Sequence, residues 1–126
     1  MCSSDLTVVN PTIVDGQIHG GLAQGVAQAL YEEAIYDEDG NLLTGNMVSY
    51  LVPSAAEFPR WELHRTETPS PTNPLGVKGV GETGAIASPA AVMNAVVDAL
   101  AADGIENIEM PATPERIWRA LAEARG

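Results

Sequence analysis

The chain has 126 residues, enough for one modest core, and its 45% hydrophobic content is ordinary for a globular protein. A formal net charge of −11 argues against nucleic acid and anionic membrane surfaces as partners. The sole cysteine, Cys2, rules out an internal disulfide, and no signal peptide or apolar run of transmembrane length stands out, so the cytoplasm is the expected compartment.

Residues 1–6, Met-Cys-Ser-Ser-Asp-Leu, read as a non-native leader, because Cys-Ser-Ser-Asp-Leu is also what the end of a common short-read sequencing adapter encodes. They are set aside from the fold. Thr7 to Pro11 then reads as the end of a strand running into a turn, since β-branched residues and the position before a proline both favour extended backbone. Asp15-Gly16 precedes a helix expected over residues 17–33. Leu22, Val26, Ala29 and Leu30 form its core face, and Gln17, Gly21, Gln24 and Gln28 form a second, polar and small stripe. Gly20, Gly21 and Gly25 each cost a helix about 1 kcal/mol against alanine, so they call for a packing or binding reason. His19 and His64 have no second ligand at a useful spacing; neither is assigned catalysis, and no side chain is assigned to a metal.

Asp37-Glu38-Asp39-Gly40-Asn41 reads as a hairpin turn between strands at 34–36 and 42–44, and is too short for an EF-hand loop. An apolar run, 47–52, stops at Pro53, and 61–67 alternates like a half-buried strand. The proline-rich stretch 69–74 reads as a stiff, extended lead-in. Ser88 and Pro89 have the pattern of an N-cap and first helical residue, opening a helix with Val92, Val96, Ala99 and Leu100 inward that ends at Asp103-Gly104. Its N-terminal N–H groups are placed to hold an anion. Residues 105–110 read as a short strand or turn, and Thr113-Pro114-Glu115 caps a last helix with Ile117, Trp118 and Leu121 inward. The fold class is α+β: about three helices with short strands.

The most informative stretch is Leu75 to Pro89, LGVKGVGETGAIASP, with Glu82 among four glycines. Its P-loop spacing fails chemically, because Glu82 stands where the lysine should be and would repel phosphate. Gly79 to Gly84 satisfies G-x-G-x-x-G, but the prolines before it cannot form the buried strand that a dinucleotide fold needs.

GVKGVGE, followed by a small-residue run and a helix, resembles the end of the molybdenum-binding large subunit of the xanthine dehydrogenase and aerobic carbon monoxide dehydrogenase family. Gly16-Gln17-Ile18-His19-Gly20-Gly21-Leu22-Ala23-Gln24-Gly25 resembles a second signature of that family, in the right order and at a fitting separation. The likeness runs from about Val8 to the C-terminus. It implies a fragment of the molybdenum-cofactor-binding domain over residues 7–126, with Glu82 as catalytic base and Gln17, Gly79, Val80 and Gly81 against the cofactor. That cofactor would be molybdenum–molybdopterin in its cytosine dinucleotide form. Electrons would pass to iron–sulfur clusters and FAD on partner subunits, and copper would belong only to the carbon monoxide branch. The substrate would be carbon monoxide, an aldehyde or an N-heterocycle, oxidised with oxygen from water. The earlier cofactor segments, the substrate loop and the iron–sulfur ligands are absent, so the resemblance predicts an isolated chain that neither holds the cofactor nor turns over. Two other readings compete with it: a free-standing acidic interaction module, and a small nucleotide-binding protein that uses the glycine loop.

Overall fold

The computed structural model describes residues 7–126; the leader-like residues 1–6 lie outside the described residues. The ordered elements are helices: α1 (Pro11–Leu30), α2 (Thr83–Leu100), a 3-10 turn (Ala101–Asp103) and α3 (Pro114–Arg125). The expected α+β class is therefore corrected to a helical one. Among the described residues no strand forms, and extended segments meet only in isolated bridges, such as the antiparallel one between Tyr36 and Leu42. Alternation gives a segment two faces, but a strand also needs a neighbour whose N–H and C=O groups complete a ladder. The expected strands at 34–36, 42–44 and 61–67 have no such ladder, and neither has 105–110, expected as a short strand or turn.

The contacts divide the chain into two units. The first takes the chain up to Gly25 together with Phe58–Ser88. Its first helix begins at Pro11, not near residue 17, because Asn10 is the N-cap: its Oδ1 accepts from the Ile13 N–H at 3.2 Å and its carbonyl from the Val14 N–H at 3.1 Å. Asn10-Pro11 is thus a cap and first residue, not the end of a strand. Val14, Ile18, Gly21 and Gly25 form the buried stripe of this half of α1, with Leu22 half-buried beside it. Val14 and Ile18 are the centre of a small apolar cluster completed by Val8, Leu22, Leu63 and Val80. Leu63 brings the 61–67 segment onto α1, where Arg65 pairs with Asp15.

The second unit takes Val26–Glu57 and Pro89–Gly126. The Asp37 hairpin turn forms as expected, with Gly40 at φ 82° and the Leu43 N–H donating to the Ile35 carbonyl at 2.8 Å. The Ala112 N–H donates to the Ala29 carbonyl at 2.7 Å, and Arg116 reaches both Glu33 (2.6 Å) and the Pro111 carbonyl (3.0 Å). Gly104, at φ 79°, closes the turn after α2. Thr113 caps α3 through the Arg116 N–H at 3.3 Å. Trp118, expected inward, is 68% exposed, while Ile117 and Leu121 are half-buried.

α2 departs most from expectation. It opens at Thr83, and Ser88-Pro89 lies within it. The buried Ser88 hydroxyl donates to the Gly84 carbonyl at 2.7 Å, so it bonds back along the helix and does not cap it. Because the helix runs through Pro89, its apolar length reaches 21 residues, Thr83–Asp103, at a mean hydropathy of 1.5. By length and composition that is enough to cross a membrane, which corrects the expectation that no run approached that length.

Candidate active site

All five residues singled out in the sequence fall in the first unit: Gln17 on α1, and Gly79, Val80, Gly81 and Glu82 on the loop that enters α2. Glycine-to-glycine contact holds helix and loop together. A β-carbon on Gly84 would lie 2.6 Å from both the Ile18 oxygen and the Leu22 nitrogen, and one on Gly21 would lie 2.9 Å from the Gly84 α-carbon. Only hydrogen at both positions permits this backbone-to-backbone approach. It supplies the packing reason that Gly21 called for; a β-carbon on Gly20, in contrast, would meet nothing within 4 Å, so Gly20 makes no such contact.

Gly84 follows Glu82 closely on the loop, and Gly21 lies one helical turn after Gln17 on α1, so this interlock brings the two signatures together. A β-carbon on Gly81 would lie 3.5 Å from the Gln17 side-chain oxygen. Gln17, Gly79, Gly81 and Glu82 are exposed, and the Val80 side chain turns into the Val14–Ile18 cluster. Val80 therefore anchors the loop by its side chain, which leaves its backbone as the part a ligand can use. Its carbonyl accepts from the Thr83 N–H at 3.2 Å, and the Glu82 carbonyl accepts from Ala85 (3.0 Å) and Ile86 (3.1 Å). The expected anion-holding helix start at Ser88-Pro89 is thus mid-helix, and several N–H groups of the true start already have protein acceptors.

The approach to the loop is folded, not the stiff extended lead-in expected from its prolines. The Asn73 amide donates to the Val77 carbonyl at 2.9 Å and accepts from the Val77 N–H at 3.0 Å. The Ser70 N–H donates to the Gly76 carbonyl at 3.0 Å. Gly76 turns through φ 66°, and a β-carbon there would lie 2.8 Å from the Pro69 β-carbon. Sequence reasoning missed Asn73; its signal was the Asn73-Pro74 dipeptide, a turn initiator. The Arg65–Asp15 pair, which ties the 61–67 segment to α1 two residues before Gln17, was missed too and left no pattern to find. The His19 Nδ1–H donates to the Asp15 carbonyl at 2.8 Å, a local helical bond.

Comparison with known proteins finds clear likenesses. Residues 7–59 match the molybdopterin cofactor-binding domain. Over 117 residues the chain is 44% identical to the carbon monoxide dehydrogenase large chain of Hydrogenophaga pseudoflava, covering 93% of this chain and 15% of that one. The chain matches one stretch of the molybdopterin-binding large chains of the carbon monoxide and xanthine dehydrogenases. Over 113 residues the chain is 49% identical to the nicotine 6-hydroxylase large subunit of Paenarthrobacter nicotinovorans, covering 90% of this chain and 14% of that one. The reconstituted carbon monoxide dehydrogenase from Oligotropha carboxidovorans superimposes with a TM-score of 0.89 at 40% identity, over 98% of this chain and 15% of that one. The chain thus spans about 15% of the length of the curated relatives it matches.

The residues present fit a pterin cofactor. The β-positions of Gly79 and Gly81 are open apart from the Gln17 oxygen, so a flat ligand can approach the backbone there. Among the described residues, the N–H groups of Gly79, Val80 and Gly81 and the Gln17 amide have no hydrogen-bond partner within the protein. Backbone donors beside an amide that both donates and accepts suit a heterocycle with mixed edges.

Proposed function

We propose that this chain forms the cofactor-facing edge of a molybdenum hydroxylase large chain, with Glu82 as its catalytic base. The observation that carries the reading is the meeting of Gln17 and Gly81, 3.5 Å from amide oxygen to β-position, which gathers two distant signatures at one exposed edge. Gln17 would hydrogen-bond the pterin, and the backbone N–H groups of Gly79, Val80 and Gly81 would lie against the cofactor. When bound, the molybdenum cofactor supplies the two-electron oxidant for a substrate carbon.

Glu82 contributes a carboxylate that accepts a proton from water as oxygen is transferred. It ends a loop whose base is fixed by Val80 in the apolar cluster and whose exit is fixed by Gly84 against α1. A base held from both sides keeps its reach to the reacting oxygen without reordering at each turnover.

The substrate is a small molecule of the class carbon monoxide, aldehyde or N-heterocycle. The relatives named for carbon monoxide and for nicotine are about equally similar to this chain, so the residues here do not divide the class. The partners in this reading are the rest of the large chain, an iron–sulfur subunit and an FAD subunit. The cofactor is the cytosine dinucleotide form, and copper enters only if the substrate is carbon monoxide. The location is cytoplasmic. Asn94 lies at the middle of the apolar stretch of α2 and the charged Asp98 five residues past its centre, and both oppose insertion into lipid.

The test compares Glu82→Gln with wild type in the large chain that carries this sequence, produced with its partner subunits. Molybdenum content stays at the wild-type level and turnover falls roughly 10²–10⁴-fold across a substrate panel. Unchanged turnover with molybdenum in place sinks the base assignment.

A further inference from the structure

Four of the six lysine and arginine side chains of this acidic chain are committed to ion pairs. Arg65 pairs with Asp15, Arg116 with Glu33, Arg119 with Glu115 and Arg125 with Asp103. Lys78 is the sole lysine in the sequence. Among the described residues, it and Arg60 are the cations without an ion pair. Lys78 is exposed and follows Val77, whose N–H and carbonyl the Asn73 amide holds, and it precedes the open Gly79. From Thr68 to Val97 the sequence has one lysine and one glutamate, Lys78 and Glu82, so the whole charge of −11 lies outside this segment. An anion is repelled by the acidic rest of the chain and by Glu82 at one end of the free N–H groups of 79–81, and meets the sole unpaired lysine at the other end in sequence, on the pinned side of the loop.

We propose that Lys78 is a further cofactor-binding residue, its ammonium contacting a phosphate oxygen of the pterin cofactor held along the Gly79–Gly81 backbone. This rests on the reading of that loop as a cofactor site. Lysine suits phosphate as a compact point charge with three donors, and backbone N–H groups beside it add directional bonds to the same anion. Solvation is the ordinary fate of an exposed lysine, but an ordinary surface lysine is not seated on a loop stapled one residue before it.

The test uses the large chain with its partner subunits as wild type, Lys78→Met, Lys78→Arg and Glu82→Gln. Molybdenum and organic phosphate per large chain are measured before and after washing at rising salt. Lys78→Met loses both about tenfold more readily than wild type, the loss expected for one charge-assisted contact. Lys78→Arg retains them, and Glu82→Gln holds them as wild type does. Full retention by Lys78→Met at every salt overturns the proposal, and so does equal loss from Lys78→Met and Lys78→Arg, because a charge contact survives exchange of one cation for another. Loss of turnover on an anionic substrate alone, with loading intact, also overturns it. Absence of molybdenum from the wild-type complex would overturn the cofactor reading as well, an outcome visible before any variant is compared.

Discussion

Asn73 does with one side chain what a strand partner would do for Val77, accepting from its N–H and donating to its carbonyl. Asn73→Ala would leave both backbone groups to water and free the loop that leads to Lys78 and Gly79. The Val77 amide should then exchange with solvent roughly tenfold faster, the equivalent of about 1–2 kcal/mol. Unchanged protection of Val77 in a hydrogen-exchange measurement would mean that something else holds the loop. Asp37 makes a second local prediction, with a defined sign. Its carboxyl is held below its ordinary value of 3.8 first by the Asn41 side-chain amide, then by the Asn41 backbone N–H, with further backbone donors from Asp39 and Gly40. A depressed acid stabilises the turn above its unfolded pKa, and that contribution is lost as pH falls through the folded pKa. The Asn41 amide resonance should therefore lose its turn-like shift with a midpoint below pH 3.8; a midpoint above 3.8 would contradict this hydrogen-bonding pattern.

Glycines on α1 and α2 look alike in the sequence and differ in the fold. Gly84→Ala places a β-carbon 2.6 Å from two backbone atoms of α1, and no side-chain rotation relieves that clash. It should destabilise the first unit by about 2 kcal/mol or more, in the upper range of overpacking. Gly20→Ala meets nothing within 4 Å and should stabilise α1 by up to about 1 kcal/mol. Proteolysis or hydrogen exchange of the large chain would separate the two; similar effects from both would refute the close contact between α1 and α2. This contrast also marks what the sequence could reveal. Composition said that some glycine in α1 needed a packing reason, and only the fold says that it is Gly21. Three of the cap-and-proline pairs in the sequence fall at or within helices, Asn10-Pro11, Ser88-Pro89 and Thr113-Pro114. Two of them start helices, and the third is mid-helix because the Gly84 contact sets the first turn of α2 six residues earlier than local signals do. The meeting of Gln17 with the glycine loop was legible through the two signatures, whereas Asn73 and Arg65 act through contacts that no period in the sequence encodes. The expected strands failed for the reason that pairing partners are a tertiary property.

Ile18 is the one large side chain that is fully buried among the described residues, and the remaining buried apolar residues, Val14, Ala27, Ala29, Leu100, Ile105 and Ala112, include three alanines. In the second unit, Leu42, Leu43, Met47, Val48, Leu51 and Val52 are each 46% to 90% exposed within eleven residues of chain. In the first, Val9, Ile13, Leu75 and Ile86 are 60% to 75% exposed. Single exposed apolar residues are normal, but a run of this kind is characteristic of surface that another part of a protein covers. Burying a leucine- or valine-sized side chain is worth about 1.5–3 kcal/mol, and a domain's whole net stability is about 5–15 kcal/mol. Leaving ten such side chains in water therefore forgoes an amount comparable to the entire margin of folding. The 126-residue chain, produced by itself, should populate self-associated species at micromolar concentration, bind a hydrophobic dye and melt without a sharp transition. Replacing Val48 and Met47 with serine should reduce the dye binding and the association without restoring a cooperative melt, because the shortfall lies in the core and not in solubility. A soluble monomer by sedimentation, with a single steep unfolding transition, would show that the small apolar centre at Val14 and Ile18 suffices and that the exposed run has no structural cost.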